Sequence, residues 1–269
     1  MPDDGDEPGS NAPSAVSLAR TLRTLKRRGS NLLVVGLTSD EGYGRICRRM
    51  LGDDTAGPRR RLLVVTGADP EAVTDRARRT QRLPPETTRH VRYVTTARSA
   101  SGGPPAEGSP DDDTPDDEVS TDEPATGGTR NDEAAGADGK AGRLPDGRRI
   151  ESGQLTDLGD AIEAEIGAIE AEADELAPAE LRVCLDSVTP LLDAHDREAV
   201  LGFLDRVTTR VADARGMGHV HLPVARDWEA VADLENPFDA VVELRVEQGR
   251  TQQRWHLRDA DVTSDWFDL

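Results

Sequence analysis

Two short segments carry the residues whose types and spacing could bind a nucleotide. Residues 31–43, NLLVVGLTSDEGY, join an aliphatic run to a glycine-bearing turn, and residues 181–187, LRVCLDS, end an aliphatic run on Asp186 and Ser187. A glycine turn at a helix N-terminus can hold phosphate groups on its backbone N–H groups, and a carboxylate after a strand can hold magnesium. The two segments together outline a nucleotide-binding fold.

The glycine turn nevertheless lacks the side chains that hold a triphosphate. The required spacing is GxxxxGK[ST], in which the lysine neutralises the outer phosphates and the hydroxyl residue holds magnesium. Counted from Gly36, the last three of these positions are occupied by Glu41, Gly42 and Tyr43. This register therefore has neither the cation nor the hydroxyl group.

A loop longer by two to three residues does not restore the site. It would place Gly44, Arg45 and Ile46 at the same three positions, where Arg45 could contact a phosphate but isoleucine cannot ligate magnesium. Losing one charged hydrogen bond costs about 1.5–3 kcal/mol, and Asp40 and Glu41 would add negative charge beside a polyanion. We therefore expect no tight binding of MgATP and assign no cofactor.

The sequence around Asp186 permits two interpretations. The carboxylate could be linked to magnesium, with Ser187 after it, or it could cap the next turn, which continues to Thr189 and Pro190. Strands that end in Asp-Ser are common at turns. The segment taken alone favours the capping role.

Two histidines and two cysteines are further candidates for chemistry. His219 and His221 alternate on one face of a predicted strand and could ligate a metal or sense a nucleotide, but the sequence offers no evident third ligand. Cys47 and Cys184 lie in separate apolar stretches without the close spacing of a zinc or redox motif. We expect partly buried histidines, two isolated core thiols and no metal site.

Composition indicates one folded domain with disordered additions. The chain of 269 residues has 52 acidic and 33 basic residues, 32% charged residues and only 3% aromatic residues. Residues 1–13 form an acidic tail, and residues 101–147 form an insertion whose acidic part contains Val119 as its one large aliphatic residue, so we expect both to be disordered. The single domain then spans residues 14–269, interrupted by that insertion.

The charge pattern also bears on the environment and on partners. Lys26 and Lys140 are the only lysines, and the acid excess resembles that of a cytosolic protein from a salt-loving microbe. With neither a signal peptide nor an apolar run of about 20 residues, a cytoplasmic protein without a membrane partner is expected. The segment before the insertion is net basic, which keeps nucleic-acid binding as an alternative, whereas the total charge of −19 disfavours it. Its densest arginines are Arg45, Arg48, Arg49, Arg59, Arg60 and Arg61.

Helical and strand patterns alternate along the folded segments. Strands are predicted at residues 32–35, 62–66, 91–95, 181–185 and 219–224, and Gly249 separates the strands of a hairpin at 240–246 and 251–257. Helices are predicted before and between them, the longest over residues 155–176. This alternation predicts an α/β three-layer sandwich with a mainly parallel sheet and a C-terminal antiparallel hairpin.

The order of elements from residue 181 to residue 257 resembles that of one ATPase family. The segments LRVCLDSVTPLL, DREAVLGFLDRVTTRV, GMGHVHLPV, ENPFDAVVELRVEQGR and QRWHLR look like the C-terminal half of the KaiC branch of RecA-like ATPases. That half consists of an aspartate strand, a long helix, a strand, a short helix and a hairpin reading FDGVIEL. The chain is similar to small haloarchaeal proteins of unknown function that keep this layout without a functional P-loop.

The resemblance implies a RecA-like P-loop core with a damaged active site. Asp186 then corresponds to the Walker B position, the turn from Gly36 to Arg45 to the Walker A position, and His221 lies near the strand end where such enzymes sense nucleotide state. Hydrolytic members carry paired glutamates after the second strand, where this chain has TGAD at residues 66–69.

The function expected from these features is a non-catalytic regulatory or protein-interaction protein, a pseudo-ATPase with an unknown protein partner. We expect a monomer or a small oligomer. One alternative is a weak nucleotide-binding ATPase that uses Arg45 or Arg48 in place of lysine. The other is nucleic-acid or anion binding through the basic N-terminal half, against which the acidic insertion could compete.

Overall fold

A computed structural model describes residues 15–79, 83–95 and 147–269 of the chain. The helices are α1 (Ala15–Arg28), α2 (Asp40–Leu51), α3 (Pro70–Arg79), α4 (Leu155–Glu172), α5 (Thr189–Ala194), α6 (Arg197–Asp213) and α7 (Glu229–Leu234). The strands are β1 (Ser30–Gly36), β2 (Arg60–Gly67), β3 (Thr88–Val94), β4 (Arg148–Ile150), β5 (Leu181–Leu185), β6 (Met217–Leu222), β7 (Ala240–Glu247), β8 (Arg250–Leu257), β9 (Val262–Thr263) and β10 (Phe267–Asp268). The predicted disorder of residues 1–13 and 101–146 lies outside the described residues and stays a prediction.

The strands form one mixed sheet in the order β10-β8-β7-β1-β6-β5-β2-β3-β4, with β9 paired to β8. The pairings from β7 through β4 are parallel, whereas β7 pairs antiparallel with β8. The β7–β8 turn contains Gln248 and Gly249, both with positive φ, as a tight hairpin requires. The predicted α/β class, mainly parallel sheet and C-terminal hairpin are confirmed.

Helices cover both faces of the sheet, and alternate residues of each strand supply the two cores. On one face, Leu33 and Val35 of β1 belong to the large core that includes residues of α4, α5, α6 and α7. On the other, Leu32 and Val34 pack with Leu25 of α1 and with residues of α2. Because both faces of the central strands are covered, these strands read as continuous aliphatic runs.

The central strands agree with the pattern of the sequence, whereas several short elements were missed. The strand at residues 181–185 was predicted to the residue, and the helix predicted over 155–176 ends at Glu172. Strands β4, β9 and β10 and helix α5 contain two to six residues, too few for a periodic signal. Among the described residues, no helix has the length and apolar character that a membrane crossing requires.

Candidate functional site

The carboxyl ends of β1, β2, β5 and β6 meet at one edge of the sheet, beside a cavity of about 1060 Å³. Open α/β sheets bind ligands at this edge, outside the strand ends. The floor of the cavity is apolar, with Leu63, Val64 and Val65 of β2, and its polar wall includes Asp186 and Ser187. Other residues that line it are Asp40, Glu41, Tyr43, Gly44, Cys47, Arg48, Arg76, Cys184 and His221.

Gly36 closes β1 in a conformation that the packing of the sheet demands. Its φ is +108°, and a Cβ placed on it would lie 2.0 Å from the carbonyl oxygen of Leu244 on β7. The carbonyl oxygen of Gly36 itself accepts a hydrogen bond from the Tyr43 hydroxyl. Glycine is therefore required here for strand packing, independently of any phosphate.

The N-terminus of α2 is capped by Ser39 and carries two acidic residues. The hydroxyl of Ser39 accepts a hydrogen bond from the backbone N–H of Gly42 at 3.2 Å, and Asp40 and Glu41 place two carboxylates in the first turn. Carboxylates there interact favourably with the helix dipole and repel an incoming phosphate. A Cβ on Gly42 would lie 2.4 Å from the Thr38 hydroxyl oxygen, so this glycine too has a packing role.

The residues of the alternative register, Gly44, Arg45 and Ile46, all lie inside α2. Arg45 forms an ion pair with Glu41 at 3.2 Å and lines a different, smaller cavity beside Gly249. Ile46 is buried in the core under the helix. The structure thus places Gly44 at the large cavity but Arg45 outside its lining.

Asp186 is held by two neighbours at the end of β5. Its Oδ1 accepts a hydrogen bond from the backbone N–H of Thr66 at 2.9 Å, and its Oδ2 lies 2.8 Å from Nε of Arg76. Arg76 also donates to the carbonyl oxygen of Thr66. Burial raises the pKa of Asp186 to about 6, although the Arg76 charge and the Thr66 N–H act in the opposite direction.

The residues around Asp186 perform capping roles. The hydroxyl of Ser187 accepts a hydrogen bond from the backbone N–H of Thr189 at 3.3 Å, at the start of α5. Asp69, which follows β2, accepts from the N–H of Glu71 at 2.9 Å in the first turn of α3. Both side chains are therefore engaged by helix N-termini.

The arginines of the basic segment are distributed over different environments. Arg61 is buried and donates to Gly52, Asp54 and Thr87, while Arg60 forms an ion pair with Glu180. Arg48 lines the large cavity. The charge cluster read from the sequence is thus partly compensated by neighbouring groups.

A second group of side chains lies beneath α2, next to the cavity. Cys47 on α2, Cys184 on β5, and His219 and His221 on β6 bring four potential ligand atoms within 4.8 Å of one another. The two Sγ atoms are 3.2 Å apart, and the centroids of the two imidazole rings are 5.2 Å apart. Cys184 and the two histidines are almost fully buried, whereas Cys47 is half-buried.

Strand geometry and register place Cys184, His219 and His221 on one face of the sheet, beneath α2. His219 and His221 are two apart on β6 and so point to the same side of the sheet. Cys184 is the register partner of His219 on the adjacent parallel strand β5. The side of α2 that faces the sheet carries the buried residues Ile46, Met50 and Leu51. Cys47 lies on the same side of the helix and contacts the strand residues of the cluster.

The electrostatics of the cluster shift the pKa values of both thiols and of the His219 imidazole. Hydrogen bonding with Cys184 lowers the pKa of Cys47, with smaller contributions from the two histidines. The same interaction raises the pKa of Cys184. Burial lowers the pKa of His219, which keeps its imidazole neutral.

This grouping corrects two sequence-based expectations. The thiols of Cys47 and Cys184 are adjacent, so the prediction of two isolated thiols is wrong, and the histidine pair does have neighbouring ligand atoms. The four residues are distributed over α2, β5 and β6, so no local spacing in the sequence indicates that they form a group. Strand order and the facing side of α2 had to be known first.

A comparison with known families places the chain. The profile of a family of unknown function matches residues 29–244. The chain belongs to this family, DUF7504. No curated protein matches its sequence.

The part of the chain matched by DUF7504 contains the features described above. It runs from just before β1 into β7, and so includes the cavity, the Asp186 ion pair and the cysteine–histidine cluster. Strands β8, β9 and β10 lie beyond it. The family match thus covers the cavity edge of the sheet and leaves out its antiparallel border.

Proposed function

We propose that this DUF7504 protein is a non-catalytic regulatory or protein-interaction protein with a RecA-like architecture. It keeps a ligand-sized cavity at the carboxyl edge of a parallel sheet but has lost the groups that bind and hydrolyse a nucleoside triphosphate. The observation that carries the proposal is the engagement of Asp186 by Arg76 and by the Thr66 backbone.

The ion pair bears directly on magnesium chemistry. A carboxylate that holds magnesium must offer its oxygens to the ion or to its water ligands. Both oxygens of Asp186 already have neighbours, one of them a fixed positive charge 2.8 Å away. Placing a divalent cation beside Arg76 would add charge repulsion, so this geometry supports a structural carboxylate.

The charges at the opposite wall of the cavity support the same conclusion. Asp40 and Glu41 line it from the first turn of α2, and Arg45 is paired with Glu41. A triphosphate would therefore meet carboxylates where a phosphate-binding turn offers a lysine. The arginine that does line the cavity is Arg48, one helical turn further along α2, and it is the group that favours the alternative of weak nucleotide binding.

A protein partner would find a mixed surface at this edge. Leu37, in the turn between β1 and α2, is 65% exposed and lines the cavity, next to the carboxylates of Asp40 and Glu41. An exposed leucine above an apolar floor can accept an apolar side chain, and the carboxylates can pair with a basic one. These features support recognition of a partner segment that carries both.

Hydrolysis assays test the proposal. We expect the purified full chain to release phosphate from MgATP no faster than Asp186→Asn, in low salt and in molar KCl. Asparagine keeps the shape of the side chain and removes its charge. Hydrolysis by the wild-type chain clearly above that of the variant would refute the non-catalytic assignment.

Calorimetry separates binding from hydrolysis. Titration of MgATP into the wild-type chain should give no saturable heat. Saturable heat that is lost in Arg48→Gln but kept in Arg45→Gln would instead establish a nucleotide site at the large cavity. The nucleic-acid alternative predicts that the full chain binds duplex DNA in a salt-sensitive way. Because the chain is acidic overall, we expect no such binding.

A further inference from the structure

The strongest unassigned feature of the molecule is the group formed by Cys47, Cys184, His219 and His221. Their ligand atoms come from a helix and two adjacent strands, yet all lie within 4.8 Å of one another. Two cysteines are all that the chain contains, and both belong to this group. The convergence of every thiol with two histidines in one small volume calls for a chemical explanation.

Two atoms in the group lack the partners that burial demands. Nε2 of His219 and Nε2 of His221 are both buried and have no hydrogen-bond partner within the described residues. Leaving a buried polar atom unsatisfied costs about 1–3 kcal/mol. A cation that accepts both lone pairs would remove this cost for both imidazoles at once.

The donor set matches the ligand preference of one ion. Two thiolates and two imidazoles form the Cys₂His₂ set of structural zinc sites, with Zn–S near 2.3 Å and Zn–N near 2.0–2.1 Å. Those bond lengths give a tetrahedron with edges of about 3.3–3.8 Å. The Sγ–Sγ distance of 3.2 Å would widen to about 3.8 Å, and ligand atoms separated by up to 4.8 Å would draw closer together. Hard cations such as Mg²⁺ and Ca²⁺ prefer oxygen ligands and do not suit this set.

The charges of the ion and of its ligands would also cancel in such a buried site. Two thiolates neutralise the two positive charges of Zn²⁺, and neutral imidazoles add none, so the complex carries no net charge into the interior. Cys47, Cys184 and His221 line the large cavity, which provides a route for the ion. Arg182, the nearby buried arginine on β5, is engaged with the carbonyl oxygens of Met50 and Ala179.

We propose that Cys47, Cys184, His219 and His221 bind one Zn²⁺ ion in a closed tetrahedral site that fastens α2 to β5 and β6. Binding forms four metal–ligand bonds and displaces the thiol protons of both cysteines to solvent, with no change of oxidation state. The ion is structural, because the four protein ligands leave no open position for a substrate. Its position beneath the cavity means that it fixes the α2 wall of that cavity.

The first test measures metal on the full chain. The protein is purified under reducing conditions without chelators, and its zinc content is determined by elemental analysis. We expect about one equivalent per chain. In Cys184→Ser and His221→Gln the zinc affinity should fall at least about 100-fold, because a ligand is lost rather than an outer neighbour. His256→Gln, a matched change on β8, should keep its zinc.

A second test is independent of whether the variants fold. Co²⁺ is titrated into the metal-free wild-type chain and followed by absorption. Thiolate-to-cobalt charge-transfer bands together with intense tetrahedral d–d bands, both removed by stoichiometric Zn²⁺, are expected. Hydrogen exchange across α2 should be slower with Zn²⁺ than without it, while exchange in the β7–β8 hairpin should not change.

Three outcomes would overturn the assignment. One is the failure of reduced wild-type chain to take up Zn²⁺ or Co²⁺ at stoichiometric concentration. The second is a weak octahedral cobalt spectrum without thiolate bands. The third is a disulfide between Cys47 and Cys184, seen as a mass lower by two hydrogens, with no metal uptake after reduction. None of these bears on ATP hydrolysis, so the proposed function stands or falls separately.

Discussion

Arg76 and Asp186 form an ion pair at the carboxyl edge of the sheet, with Nε and Oδ2 2.8 Å apart. Arg76 comes from α3 and Asp186 from the residue after β5, so the pair joins the helix to the strand end. The carboxylate is 20% exposed and the guanidinium 35%. The pair therefore acts as a structural link between α3 and the end of β5.

Arg76→Ala should lower the free energy of unfolding by about 1–2 kcal/mol, because it leaves a largely buried carboxylate without its counter-charge. Urea denaturation measures the change. The double variant Arg76→Ala/Asp186→Asn should recover part of the loss, since the uncompensated charge is then gone. Arg197→Ala removes an exposed pair with Asp233 and should cost less than about 0.5 kcal/mol. Equal losses in both arginine variants would contradict the structural role of the pair.

Gly36→Ala separates a packing role from a phosphate-binding role. The new methyl group would meet the Leu244 carbonyl oxygen at 2.0 Å, at a φ of +108°. We expect a loss of at least about 2–3 kcal/mol in denaturant unfolding. A Cβ added at Gly167 on α4 or at Gly202 on α6 would meet no atom within 4 Å. Gly167→Ala and Gly202→Ala should therefore raise the free energy of unfolding by about 0.5–1 kcal/mol. A neutral result at Gly36 would refute its packing role.

The sequence predicted the architecture well because the central strands are long aliphatic runs. Residues 181–185 are buried on both faces, and covering helices leave that signature directly in the sequence. Gly29 directly follows α1 and has a φ of +85°, the left-handed conformation in which glycine commonly ends a helix. These signals are local, so one sequence suffices to read them.

The cysteine–histidine cluster could not be read in the same way. Its members meet only because β5 and β6 are neighbours and because α2 turns Cys47 toward them. Pairing of non-consecutive strands is a property of the whole fold. The partners of Arg61 follow the same logic, since an arginine in a basic run gives no sign that it will be buried against Gly52 and Asp54.

Glu243 on β7 provides a pH-dependent test of the hairpin. Burial disfavours its charge, but hydrogen bonds from Arg254 and His256 outweigh that effect and lower its pKa. A lowered folded pKa gives stability that is present above the unfolded value of about 4.3 and is lost as pH falls through the folded value. Glu243→Gln should therefore cost about 1–2 kcal/mol at pH 7.

That cost should shrink as the pH falls below about 4.3, and it should disappear once the pH lies below the lowered pKa of folded Glu243, where the wild-type carboxyl is protonated as well. Urea denaturation as a function of pH measures the difference. Glu247→Gln on the same strand removes only a distant exposed pair with Arg245, at 3.7 Å, and should show little change at any pH. A pH-independent cost at Glu243 would mean that packing rather than charge stabilises this position.

Trp266 fastens the C-terminal segment to the hairpin. Its ring lies against two guanidinium groups, with Cζ of Arg245 and Cζ of Arg254 at 4.2 and 4.6 Å from the ring centroid. Next to it, Phe267 and Asp268 form β10 and pair with β8. The tryptophan therefore couples the antiparallel border of the sheet to the last residues.

Trp266→Leu keeps an apolar side chain but removes both cation–π contacts, so we expect a loss of about 1–2 kcal/mol. Backbone exchange in β10 should accelerate before exchange in β1 or β6, because the contact is local to the border of the sheet. Trp228→Leu, at a side chain that is 42% exposed, should change stability by less than about 0.5 kcal/mol. Unchanged exchange in β10 of Trp266→Leu would show that strand pairing alone holds this segment.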